Sequence, residues 1–299
     1  MMLKRIFAAF FVFSTTLAFA EKRQLEINIH VKTDGSVEVQ RKSELLPADP
    51  EKRFILVKNS DTGTPIAKAD VDIDDRWKTV TNDEGKAPLP DGVDDGSHRV
   101  TISKEGEFAR TVVNVVVEDG EIASNPQVSM PPSVDYERIK IVLDWGEFPD
   151  DLDSHITSSF QHVYYSNMNS GNLSLDRDDT SSFGPETVTV RDIDSSERYS
   201  YYVLNYSDRG YPDSARLSAS GAQVRVFVNN ELAATFSVPR NRRGVLWHVF
   251  DIVNGNEIVE YNTISNERME GEKCEKKFYD WNDFRFCGRL RVWKKRGEP

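Results

Sequence analysis

Leu25, Ile27, Ile29 and Val31 stand at every second position with Glu26, Asn28 and His30 between them, and after Asp34-Gly35 the period resumes at Val37 and Val39. A period of two puts alternate side chains on opposite faces of an extended strand, so this stretch predicts a β-hairpin with one apolar face. Prolines 47 and 50 end it. From 54 to 128 the same signal returns in short pieces, at 54–57, 69–73, 99–102 and 111–117, punctuated by Asp61-Thr62-Gly63, Asp83-Glu84-Gly85 and Asp95-Gly96, with no convincing helical stripe. Short strands separated by turn residues predict an antiparallel sandwich.

Asn125-Pro126 and Pro131-Pro132 then interrupt the pattern, and a proline-rich stretch reads as an extended connection open to proteolysis between 124 and 134. Beyond it strands are expected at 140–145, 163–165, 187–190, 199–206, 223–228, 233–238, 246–252 and 258–262. Asn229-Asn230 and Asn254-Gly255 supply the left-handed residues of tight hairpins. The expected fold class is all-β: two antiparallel β-sandwich modules in tandem, with a short N-terminal hairpin and a disulfide-closed C-terminal segment.

The ends of the chain carry the remaining large-scale signals. Lys4 and Arg5, the apolar run at 6–17 and Ala18-Phe19-Ala20 have the form of an export signal cleaved after Ala20. The run is shorter than the roughly 20 residues needed to cross a bilayer, and no later segment is long and apolar enough, so the mature chain is expected to lack a transmembrane segment and to be periplasmic or secreted. Loss of Lys4 and Arg5 lowers the formal charge by two, from −11 to −13. That balance repels phosphate backbones and argues against nucleic acid as a partner. The expected organisation is a signal peptide over 1–20, the hairpin over 21–50, one sandwich over 51–130, a second over 131–265 and a basic-aromatic segment over 266–299. The last carries Lys276, Lys277, Arg285, Arg289, Arg291, Lys294, Lys295 and Arg296 together with Phe278, Tyr279, Trp281, Phe284, Phe286 and Trp293. Such a segment either meets anionic envelope polymers or lipid headgroups, or docks on an acidic body, and the second is the commoner use.

Two resemblances follow from particular runs. Asp61-Thr62-Gly63-Thr64-Pro65-Ile66-Ala67-Lys68-Ala69-Asp70-Val71, then Thr79-Val80-Thr81-Asn82-Asp83-Glu84-Gly85 and Gly96-Ser97-His98-Arg99-Val100, resembles the carboxypeptidase regulatory-like domains with a transthyretin-like β-sandwich. That resemblance implies a non-catalytic spacer or accessory module of a secreted protein. In the second half, Leu143-Asp144-Trp145, Asp150-Asp151-Leu152-Asp153-Ser154-His155, Leu175-Asp176-Arg177-Asp178-Asp179-Thr180, Phe183-Gly184-Pro185-Glu186 and Leu246-Trp247-His248-Val249-Phe250 together resemble the bacterial YfaP-like domain of unknown function. There Ser154 takes a place that is usually apolar in that family, which bears on whether it packs inward. No established activity comes with the family.

Chemistry concentrates in the acidic runs. Asp151 and Asp153 are placed by alternation on one side of a strand, and Asp176 and Asp178 repeat the geometry. Converging carboxylates repel, and a hard cation relieves them; Ca²⁺ takes six to eight oxygens in flexible geometry, with Glu186 after Gly184-Pro185 able to complete the shell. The candidate ligands are therefore Asp151, Asp153, Asp176, Asp178 and Glu186, against the plainer reading of aspartates that cap turns, since the spacing is not that of an EF-hand. His155 and His162 lack the spacing of a zinc helix and read as structural. No Gly-x-Ser-x-Gly elbow, His-Glu-x-x-His or phosphate-cradling loop is present, and no catalytic residue is assigned. Tyr199 and Tyr201 fall on one strand face and Tyr202 on the other; with Tyr164, Tyr165 and Tyr206 they suit either cross-strand packing or a carbohydrate or protein contact. The expected function is an exported cell-envelope binding or scaffold protein, calcium-supported, with a protein or polysaccharide partner; the alternative is an accessory or hydrolytic module acting on envelope polymers through the acidic cluster.

Cys274 and Cys287 are the two cysteines. In an oxidising compartment they are expected to pair, and closing that loop restricts the unfolded chain by about 3 kcal/mol in the chain-entropy view. Mature protein purified from such a compartment and denatured without reductant should therefore titrate no free thiol; two thiols per chain would refute the pairing.

Overall fold

The computed structural model describes residues 52–134 and 138–267 in full and two further strands, 23–31 and 37–45, by their backbone. The export signal at 1–20, both cysteines and the basic-aromatic segment beyond 267 lie outside the described residues. Two compact units divide between Asp49 and Pro50. In the first, β1 (Arg23–Val31) and β2 (Val37–Leu45) pair antiparallel from Arg23 opposite Leu45 to Val31 opposite Val37, as the period-two pattern requires.

The larger unit is all-β and built from several sheets. Its first half comprises β3 (Phe54–Asn59), β4 (Asp70–Ile73), β5 (Trp77–Val80), β6 (Lys86–Pro88), β7 (Gly96–Lys104), β8 (Phe108–Glu118), β9 (Glu121–Ile122) and β10 (Gln127–Met130). They form a three-stranded sheet of order β10-β3-β6 and a five-stranded sheet of order β5-β4-β7-β8-β9. Ile55, Val57, Ala87, Val128 and Met130 from the first sheet meet Val71, Ile73, Val100, Ile102, Val113 and Val115 from the second in one core. One element departs from the antiparallel expectation, because β10 pairs with β3 in parallel.

That strand also corrects the reading of 124–134 as an open connection. Gln127, Val128, Ser129 and Met130 are all buried, the Leu56 N–H donates to the Pro126 carbonyl, and the Ala109 N–H donates to the Pro131 carbonyl. Prolines flank the strand where no ladder N–H is needed, so they frame it without excluding it.

The second half comprises β11 (Arg138–Asp144), β12 (Leu152–Thr157), β13 (His162–Val163), β14 (Asn169–Ser170), β15 (Leu173–Arg177), β16 (Glu186–Arg191), β17 (Tyr199–Asn205), the short α1 (Arg216–Ala219), β18 (Gln223–Val228), β19 (Glu231–Ser237), β20 (Leu246–Val253) and β21 (Glu257–Ser265). A six-stranded sheet, β14-β15-β16-β11-β18-β19, faces a five-stranded sheet, β13-β12-β17-β20-β21. Between them lie Ile139, Ile141, Leu143, Val188 and Val226 on one side and Leu152, Ile156, Tyr201, Val203 and Phe250 on the other. The two asparagine hairpins occur as expected, with Asn229, Asn230, Asn254 and Gly255 all at positive φ (50°, 70°, 52° and 79°).

The six-stranded sheet is covered on its outer face too. Arg138, Lys140, Val142 and Asp144 alternate with the inward residues of β11 and are buried all the same, because the first half of the unit packs over them. Arg138 Nη2 donates to the Pro132 carbonyl at 2.5 Å, Lys140 Nζ reaches Asp61 at 2.5 Å and Asp176 at 2.8 Å, and Val142 packs with Ala109, Phe227 and Leu232. Asp144 accepts from Ser129 Oγ at 2.5 Å and pairs with Arg225, which is 1 % exposed. Removing one member of a buried ion pair strands the other charge. Asp144→Ala should therefore cost about 3–5 kcal/mol, read as a lower denaturant midpoint with an unchanged m-value; a shift below about 1 kcal/mol, the value of an exposed pair, would show that this contact is not the desolvated one described.

Candidate metal centre

Strand β12 leaves β13 early: β13 pairs only with Ile156 and Thr157, so the first half of that edge needs another partner. Glu186 supplies it. As the first residue of β16 it shares the inward parity of Val188 and Val190, and its Oε2 accepts the Ser154 N–H at 2.5 Å while Oε1 accepts the Asp179 N–H at 3.5 Å. Ser154 itself does pack inward, 1 % exposed, with its Oγ 2.7 Å from the Tyr201 hydroxyl. A hydroxyl is tolerated at this apolar place because a buried phenol satisfies it.

Asp178 is brought to the same place by an irregularity in β15. Leu175 stands opposite Val188 and Arg177 opposite Thr187, so Asp176 is the extra residue of a bulge. Simple alternation would put Asp176 and Asp178 on one side; the bulge separates them. Asp176 turns outward to Lys140, Ser174 and Thr189, which hold its carboxyl below the usual range against the opposing effect of burial. Asp178 turns toward Glu186. One carboxylate oxygen from each of Asp153, Asp178 and Glu186 lies within 4.8 Å of the others, and this acidic triad can hold a metal ion.

Of the five expected ligands, three thus converge, Asp151 stands beside them and Asp176 belongs to a different network. Asp151 hydrogen-bonds with Asp153, and burial, reinforced by the Asp178 charge, pushes its carboxyl up to about 6. Burial first and then the Asp153 charge raise Glu186 well above the ordinary carboxyl range. The nearby cations are committed elsewhere: Arg177 bonds Asp179 at 2.5 Å and the Thr62 carbonyl at 3.0 Å, and Lys140 holds Asp61 and Asp176. The cluster therefore either keeps protons or takes up a cation.

The two histidines with no sequence motif are neighbours in space. His155 Nδ1 and His162 Nε2 lie 3.0 Å apart, and the Tyr164 ring stacks on both. His155 is fully buried, and burial lowers its imidazole to about 3, with a smaller effect from His162; burial lowers His162 to about 4. Tyr199 and Tyr201 lie in the core and Tyr202 on the opposite face, as alternation predicts.

No family model and no curated protein matches this chain. A solved structure described as the crystal structure of unknown function protein SAV2460 is similar at 18% identity and a TM-score of 0.34, covering 44% of this chain and 93% of that one. No helix among the described residues is long and apolar enough to cross a membrane.

The histidine pair has a consequence for pH. Below 6.5 the unfolded chain protonates both imidazoles whereas the folded chain keeps them neutral down to about 4 and about 3. Their contribution to stability is complete above pH 6.5 and is lost as the pH falls, by at most about 1.4 kcal/mol per pH unit for each histidine. Denaturant midpoints should drop between pH 7.5 and 5, and the His155→Gln/His162→Gln double variant should show a shallower slope; equal slopes would mean that these rings do not stay neutral in the fold.

Proposed function

We propose that the protein is an exported binding or scaffold component of the cell envelope, with no catalytic centre of its own, and that its second sandwich is supported by Ca²⁺ held at Asp153, Asp178 and Glu186 with Asp151 beside them. The observation that carries this reading is the convergence of three carboxylates at one sheet edge. Carboxylates only, without sulfur or an adjoining imidazole in the set, suit a hard cation. The flexible coordination of Ca²⁺ matches a set assembled from a strand, a loop and a strand start, whereas Mg²⁺ demands near-octahedral placement.

The residue runs that resemble a carboxypeptidase regulatory-like module and a YfaP-like module support an accessory, partner-binding role, with a protein or polysaccharide of the envelope as partner. The hydrolytic alternative would draw on His155 as a base beside the acidic cluster. A fully buried imidazole lowered to about 3 is a poor proton acceptor for a solvent-borne substrate, which favours binding.

Calorimetry and thermal unfolding of the mature chain with Ca²⁺, Mg²⁺ and chelator test the cation. At a hundredfold excess over Kd, bound Ca²⁺ adds about 2.7 kcal/mol to stability, so Tm should rise with Ca²⁺ and less with Mg²⁺. Asp153→Asn with Asp178→Asn should abolish the dependence and leave the chelator-treated fold intact, because the change also removes repulsion. Neither heat nor a Tm shift at millimolar Ca²⁺ would make these aspartates turn and hydrogen-bonding residues instead.

A further inference from the structure

The two sheets of the second sandwich treat their outer faces differently. The six-stranded sheet is covered by the first half of the unit. The five-stranded sheet instead carries a row of rings, one from each strand: His162 on β13, His155 on β12, Tyr202 on β17, His248 on β20 and Tyr261 on β21. His155 stands opposite Tyr202 in the ladder, and the ring centroids of Tyr202 and His248 are 4.3 Å apart and those of His248 and Tyr261 4.1 Å. Beneath the row Leu204 and Leu246 are 2 % and 4 % exposed, packed under Tyr202 and Tyr206. A bulge sets the end of the row: Thr263 faces His248 and Glu260 faces Phe250, so Tyr261 and Asn262 share the place opposite Val249, with Asn262 at φ 48°. Tyr261 is thereby stacked on His248 at the sheet edge with 42 % of its surface exposed.

We propose that this face is the seat of the chain's own basic-aromatic segment, residues 268–299. The chain runs out of β21 at Ser265, on the edge strand of this same sheet and a few residues from Tyr261, and 32 residues follow Glu267. At roughly 3.3 Å per residue they span far more than a five-stranded sheet, whose strands lie about 4.8 Å apart. The chemistry on the two sides matches. Exposed Glu257, Glu260 and Glu267 flank the edge, while 276–299 carries eight Lys and Arg against Asp280, Asp283 and Glu298. Phe278, Tyr279, Trp281, Phe284, Phe286 and Trp293 continue an aromatic stack that ends on an exposed tyrosine, and Arg289, Arg291 or Lys294 can lie over that ring. The seat is separate from the acidic triad, so it stands whether or not that site takes a cation.

A photo-crosslink tests it in the full mature chain, without added metal. Tyr261→benzoylphenylalanine keeps an aromatic ring at an exposed place, so folding is not at stake. Irradiation should give a cross-link at monomer mass, mapped by digestion and mass spectrometry to 268–299. Dimer mass would assign the face to a second copy and overturn the proposal, as would capture of a different envelope component or the absence of any link to 268–299. A chain ending at Arg268 supplies a second reading: amide exchange across 257–265 should be at least several-fold faster than in the full chain, and equal exchange in the two would likewise overturn it.

Discussion

Everything in the second half of the molecule depends on β11 being buried on both faces. Strands of an antiparallel sandwich ordinarily bury one face and wet the other. Here the outward residues of β11 are Arg138, Lys140, Val142 and Asp144, and each meets the first half: Arg138 through Pro132, Lys140 through Asp61, Val142 through Ala109 and Asp144 through Ser129. Buried charges of this kind contribute less to net stability than to fixing one arrangement, since any other register would strand them.

The same packing positions the carboxylate cluster. The 177–186 loop carries Asp178 and ends at Glu186, and the first half of the unit holds it from outside. Arg177 reaches the Thr62 carbonyl, Gln127 Nε2 donates to the Phe183 and Gly184 carbonyls at 3.0 and 2.9 Å, and Thr187 Oγ1 donates to the Ser60 carbonyl at 2.7 Å. Gly184 is required where the loop turns: its φ is 73°, and a Cβ there would fall 2.6 Å from the Trp145 ring. A module whose resemblance implies only a spacer thus orients the ligand set of its neighbour.

Much of this was legible from residue order, and the parts that were not have identifiable causes. Alternation found the hairpins, and the faces of Tyr201 and Tyr202, because parity is a local property. It misplaced Asp176 because one bulged residue inverts parity beyond it, and nothing in Leu175-Asp176-Arg177-Asp178 announces a bulge. Asp153, Asp178 and Glu186 were each identifiable as acidic residues in turn-rich runs, but their convergence depends on where β13 stops pairing with β12. Strand β10 was hidden by the prolines around it. The covered outer face of β11 left a trace in Lys140 to Trp145, where Val142 and Leu143 break strict alternation, though a strand buried on both faces and a strand with a stray apolar residue look alike at that length.

The cluster also shows why its acids are poor candidates for mere structural filler. Hydrogen-bonding aspartates in this protein are held below the ordinary carboxyl range, as Asp176 is by Lys140 and Asp251 by His248, Ser200 and Arg198 despite their burial. Asp151 and Glu186 go the other way, because burial and neighbouring carboxylates favour the protonated form. A carboxyl raised in the fold binds protons that the unfolded chain releases, so its ionisation weakens the fold as the pH rises through its folded value. For Asp151 that value is about 6, and above it the repulsion with Asp178 must be met from outside the side chains themselves. A cation and a proton are therefore alternatives at one place, and the higher the pH, the more the arrangement favours the cation.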